Sequence, residues 1–167
     1  MMWNNERDRT QILAGIDWAV RIGRTLDDAG PSLLETARDA MGADACSVFV
    51  LDAAGDELRG ARGTWDWTRS SFGARLEHWP NVRAVIESQI PAHVNGNNAL
   101  GGEVGWFETR GIAGCLCTPL LSGGATVGVM FWDYTDSAAA PREQDSRFAQ
   151  SVAASWAVAA MGAHAGA

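Results

Sequence analysis

From Gly111 to Trp132 the chain reads GIAGCLCTPLLSGGATVGVMFW, 22 residues without a charge. A run of that length is long enough to cross a bilayer as a helix. Pro119, Ser122 and the pair Gly123-Gly124 divide it, and β-branched and aromatic residues stand on both sides of the division. The pattern predicts two buried strands joined by a short turn, continuing to Tyr134 and forming the centre of a soluble domain's sheet.

The 167 residues fit a single domain, and 47% of them are apolar, enough for an ordinary core. The opening MMWNNERDR places charge where a signal peptide needs an apolar stretch, and the Ala-rich tail from Ser151 is too weakly apolar to span a membrane. Three cysteines, Cys46, Cys115 and Cys117, make an odd and sparse set that fits a reducing compartment. The expectation is a cytoplasmic protein without a membrane partner. A net charge of -7 argues against direct nucleic-acid binding, which needs a basic surface. The chain has no lysine, which excludes a Walker-type phosphate loop, a pyridoxal Schiff base and a lysine nucleophile. It has eight tryptophans, each with a large apolar face and one N–H donor.

Periodicity predicts helices at both ends and strands between them. Ile12, Ile16 and Val20 mark an amphipathic helix from Asp8 to about Leu26. Ala29-Gly30-Pro31 reads as a break, with Ser32 and Glu35 as a capping box for a second helix ending near Gly42. Strands are expected at Ala45 to Asp52, Glu57 to Gly63, Arg69 to Leu76 and Ala92 to Asn95. A short helix starts at Pro80. Another carries Leu100, Val104 and Phe107 up to Gly111, and a last one opens at Pro141 with the stripe Phe148, Val152, Trp156 and Ala160.

This order of elements resembles a GAF domain over about residues 30 to 162. The resemblance rests on Arg110-Gly111 before a strand with Cys117-Thr118-Pro119-Leu120, the Gly-containing turn, Val127-Gly128-Val129-Met130-Phe131, and a last helix after a polar loop. The stretch HWPNVRAVIESQIPAHV resembles the helix-then-strand segment of many bacterial members, although NGNN stands where some carry Asp-Pro. The resemblance implies an α+β fold with a central antiparallel sheet of about six strands. It places the terminal helices on one face, and pocket-forming loops and short helices on the other. The domains are then 1–29, an N-terminal helix available for dimerisation; 30–162, the GAF-like unit with its C-terminal helix from 141; and 163–167, a tail.

A small-molecule sensor follows from the resemblance, with a pocket lined by Trp65, Trp67, Phe72, Trp79, Asn95, Trp106, Arg110 and Trp132. Arg110 falls four residues after Trp106, on the same helical side, where it can clamp an oxyanion or simply stack on the indole. The ligand classes left open are a planar organic compound, a small oxyanion, and a quaternary ammonium caged by tryptophan. Ile12, Ile16, Val20, Phe148, Val152 and Trp156 form stripes that can bury against a second copy or against the chain's own sheet, and a homodimer is expected. An effector domain or a separate signalling partner would receive the signal.

No cofactor and no metal are expected. Haem through His78 or His93 is the exception weighed, and no recognised ligand motif supports it. The chain reads as non-enzymatic. The alternatives are a thiol-based reductase, like the GAF proteins that reduce free methionine sulfoxide, using Cys115 or Cys117, and a dimerisation scaffold without a ligand.

Overall fold

A computed structural model describes residues 6–21, 26–64, 73–136 and 141–165. Among them are five helices, α1 (Glu6–Arg21), α2 (Leu26–Met41), α3 (Pro80–Ser88), α4 (Gly102–Arg110) and α5 (Glu143–Ala165). The strands are β1 (Ala45–Leu51), β2 (Glu57–Gly63), β3 (Gly73–Arg75), β4 (Ala92–Asn95), β5 (Gly114–Ser122) and β6 (Ala125–Tyr134). They form one antiparallel sheet in the order β3-β2-β1-β6-β5-β4.

The uncharged run is the β5–β6 hairpin. Gly123 and Gly124 have φ of 58° and 81°, the left-handed pair that a two-residue turn between twisted strands requires. Pro119 is tolerated because β4 pairs with β5 only as far as Cys117, so Pro119 lies where β5 has run past that neighbour. Both alternating sets of side chains are apolar because both faces are covered. Val48, Leu116, Met130 and Trp132 join the helix-side core with Ile12, Ile16, Leu34, Phe148, Val152 and Trp156. Phe49, Cys117, Val129 and Phe131 join a second core with Trp79, Val82, Trp106 and Phe107. The terminal helices therefore cover one face, and the segment from β3 through α4 covers the other.

Three helix boundaries differ from the sequence expectation. The first helix is Glu6–Arg21, and Leu26, expected at its end, opens the second. The second helix begins at Leu26 and runs through Gly30-Pro31, so Ser32 and Glu35 are interior and not a capping box. Pro31 lies early in the helix, where its missing N–H forfeits a single bond close to a terminus already short of partners. The last helix begins at Glu143, two residues after Pro141, and the Asp145 carboxylate accepts the Arg142 N–H at 2.8 Å. The expected strand from Arg69 is described only from Gly73, and Leu76–His78 form a 3-10 turn.

Ile12, Ile16, Phe148, Val152 and Trp156 are each at most 8% exposed within their own chain. These stripes cover the sheet and each other, so they are core and not open dimer surface. A stripe signals burial without saying against what. The side chain of Val20 lies outside the described residues. Arg9 ties the helical layer together: it donates to the Ala40 carbonyl at 3.1 Å, pairs with Asp145, and lies over the Phe148 ring.

Candidate functional site

On the face away from the terminal helices, β3 and the Trp79 region approach α4. Trp79 follows the 3-10 turn and directly precedes Pro80 at the start of α3, so a rigid corner presents its indole. Trp106 is on the inner face of α4. The two rings meet edge to face with centroids 5.1 Å apart, and Trp106 also packs edge to face on Phe49 at 6.2 Å. Such aromatic pairs fix ring orientation beyond what burial alone does. Arg110, one helical turn after Trp106, lies with its guanidinium carbon 3.6 Å from the centre of that ring.

These residues border a cleft of about 410 Å³, lined by Gly73, Ala74, Arg75, His78, Trp79, Gly102, Gly105, Trp106, Thr109 and Arg110. It is a shallow depression, open to solvent over most of its extent. Burial holds the Arg110 guanidinium below its usual value, opposed by the Asp133 carboxylate.

α4 is anchored at its start by Glu103, a carboxylate only 1% exposed. It accepts the backbone N–H groups of Asn81 (2.9 Å), Val82 (3.1 Å) and Leu100 (3.1 Å), and the Asn81 side-chain amide (2.8 Å). It thus caps α3 from another helix, supplying what Trp79 at the N-cap position cannot.

Of the eight expected pocket residues, the structure brings Trp79, Trp106 and Arg110 together. Trp65, Trp67 and Phe72 lie outside the described residues. Trp132 leaves the set: it is fully buried in the helix-side core, because alternation along β6 turns it away from Phe131 and the cleft. Asn95 also leaves it. Its side-chain oxygen accepts the N–H groups of Asn97 (2.8 Å) and Asn98 (3.3 Å), which is turn geometry. Asn95 borders a different hollow of about 450 Å³ at the β4 edge, with His93, Cys115 and Tyr134. His78 and His93 therefore border separate hollows. Among the described residues no group of three or more His, Cys, Asp or Glu is placed to hold a metal ion.

Sequence reasoning missed Glu103, Ser47 and Asp133. Asp133 is the one charge between Gly111 and Tyr134, a signal visible in the sequence. It is 1% exposed and pairs across the sheet with Cys115. Ser47 is fully buried in register with Phe131, and its hydroxyl has no hydrogen-bond partner among the described residues. Burial is the main cause that pushes the Cys46, Cys115 and Cys117 thiols well up, and the Asp133 charge adds to it. That environment keeps all three protonated and poorly nucleophilic.

A family profile for the GAF domain matches residues 23–160. Among solved structures, the chain is similar to the GAF domain of a phosphoenolpyruvate-protein phosphotransferase from Coxiella burnetii, at 19% identity, with 98% of each chain covered and a TM-score of 0.77. The corresponding domain from Acinetobacter is similar at 17% identity, 97% of each chain and a TM-score of 0.75. A phycocyanobilin-bound GAF domain from a cyanobacterial phytochrome is similar at 14% identity, covering 99% of this chain and 98% of that one, with a TM-score of 0.75. At these identities the likeness is one of fold. No curated protein sequence is significantly similar to the chain.

Proposed function

The chain belongs to the GAF domain family, and on that premise we propose that it is a sensor whose Trp79–Trp106 cleft takes a small molecule and biases the packing of the terminal helices. GAF domains are generally sensory or regulatory modules, commonly joined to effector domains. The observation that carries the reading is the position of the cleft. Trp79 and Trp106, which border it, belong to the core on one face of the sheet with Phe49, Val129 and Phe131, and the terminal helices pack on the other face of the same strands. A guest that binds one arrangement of the sheet more tightly shifts the helices toward it. A similar structure holds phycocyanobilin, which supports the reading of a ligand site in this fold.

The proposed role is non-catalytic. Cys115 and Cys117 are buried thiols held in their protonated form, an environment that disfavours thiolate chemistry. A second copy, if recruited, meets the outward faces of the helices, where Trp18 is 61% exposed. The effector, in the same polypeptide or separate, would be read through those helices.

The reading is tested by screening small metabolites against tryptophan emission in the wild type and in Trp106→Phe. Saturable changes that depend on Trp106 support it. A full screen without one, or responses indifferent to Trp106, would reject it.

A further inference from the structure

β4 is an edge of the sheet, with β5 on one side and no strand among the described residues on the other. Its residues include no Lys, Arg, Asp, Glu or Pro, and its pairing with β5 has no bulge. Charges, prolines and bulges are the usual means of keeping an edge from pairing with another chain. The opposite edge, β3, ends on the exposed Arg75.

The loop after β4 closes its edge instead. Asn98 Nδ2 donates to the His93 carbonyl at 2.9 Å, and Asn98 Oδ1 accepts the Asn95 N–H at 2.7 Å. Residues two apart in a strand turn their backbone groups to the same edge, so His93 and Asn95 both face away from β5. The two groups that Asn98 takes flank Val94. They are the pair that an added antiparallel strand would meet with one N–H and one carbonyl. A side-chain amide carries both functions, whereas a carboxylate has no donor. The Asn95 carbonyl is taken as well, by the N–H groups of Asn98 (3.2 Å) and Ala99 (2.8 Å). Asn98 is held from outside the loop: its own carbonyl accepts the Asn81 side-chain amide at 2.7 Å, and Asn81 is bound in turn by the buried Glu103.

We propose that Asn98 is an edge guard. Its amide occupies the ladder positions of a further strand and keeps β4 from pairing antiparallel with β4 of a second copy. The second copy is the partner excluded because this edge is self-complementary about a twofold axis through Val94. His93 of one copy would meet Asn95 of the other, and the reverse, so one contact would satisfy both edges.

The test is sedimentation velocity of the whole chain over a range of concentrations, as wild type, as Asn98→Ala, and as the double variant Asn98→Ala with His93→Pro. Asn98→Ala should form species of about twice the wild-type mass, in amounts that rise with concentration. Adding His93→Pro should return the wild-type profile, because proline there removes an outward N–H and no β4–β5 bond. Asn98→Asp, which keeps the acceptor and loses the donor, should fall between. Asn98→Ala that sediments as the wild type does, or association that survives His93→Pro, overturns the proposal. Amide exchange of the wild type decides the matter if a variant fails to fold. The Asn95 N–H should be about tenfold or more better protected than the outward His93 N–H, and equal protection overturns the guard.

Discussion

The Glu103 carboxylate holds both amides of Asn81, the backbone N–H at 2.9 Å and the side-chain N–H at 2.8 Å, and so fixes the start of α3 to the start of α4. The two helices that carry the cleft's corner and its wall are thereby one unit. Glu103→Ala removes a buried acceptor from four donors. Hydrogen bonds to a charged group and a lost helix cap together cost about 2–4 kcal/mol. The melting temperature should fall by about 5–10 °C, given roughly 2–4 °C per kcal/mol for a chain of this size. An alanine variant that melts with the wild type would show that the tie carries no weight.

Two glycines of the same region should respond in opposite directions. Gly105→Ala should stabilise by about 0.5–1 kcal/mol through helix propensity. Gly101 has φ of 56°, and a Cβ there would lie 2.7 Å from the His78 carbonyl oxygen. Gly101→Ala should destabilise by about 1–3 kcal/mol. Urea midpoints of the two variants check the contrast, and a shared sign would refute it.

Thr118 is fully buried on the helix side, and its hydroxyl has no hydrogen-bond partner among the described residues. A buried, unbonded hydroxyl costs about 1–3 kcal/mol. Thr118→Val keeps the branched shape that suits a strand and should raise stability by about 0.5–2 kcal/mol. A clear loss of stability would mean that the hydroxyl is satisfied after all.

The three thiols make stability fall in alkali. Burial, with the Asp133 charge, raises Cys46, Cys115 and Cys117 well above 9.0 in the folded chain. Unfolded thiols lose their protons near pH 8.5 while the folded ones keep theirs, so the unfolded state binds fewer protons as pH rises. The stabilisation is complete below that pH and is lost progressively above it, at up to about 1.4 kcal/mol per pH unit for each thiol. Burial likewise raises Tyr134, which extends the loss to higher pH. Urea midpoints should be level from pH 7 to 8 and decline from 8.5 to 10.5, with a shallower decline in Cys46→Ala. A flat profile to pH 10 would contradict the buried-thiol account.

The β5–β6 hairpin was legible because an uncharged run with a Gly-Gly division has few other solutions in a soluble domain. The stacking of Arg110 on Trp106 was legible because helical spacing sets the two on one side, whereas Trp79 beside them was expected only from the family resemblance. The face of Trp132 was not, because β6 is apolar on both sides and alternation separates two sets without saying which meets the helices. The stripe through Phe148 and Trp156 announced burial, but the sheet and a second copy present the same apolar demand. Glu103 was invisible because its donors on α3 lie more than twenty residues away, and nothing local marks them.

The most direct measurement is a titration of the chain's eight indole N–H resonances by heteronuclear NMR with a compound that quenches Trp106-dependent emission. The account predicts that Trp79 and Trp106 shift first and furthest, as cleft walls. Trp156 on α5 should shift in proportion, across the sheet. Movement of Trp132 and Trp156 without Trp79 and Trp106 would place the guest elsewhere, and a Trp156 signal that stays fixed at saturation would contradict transmission to the terminal helices.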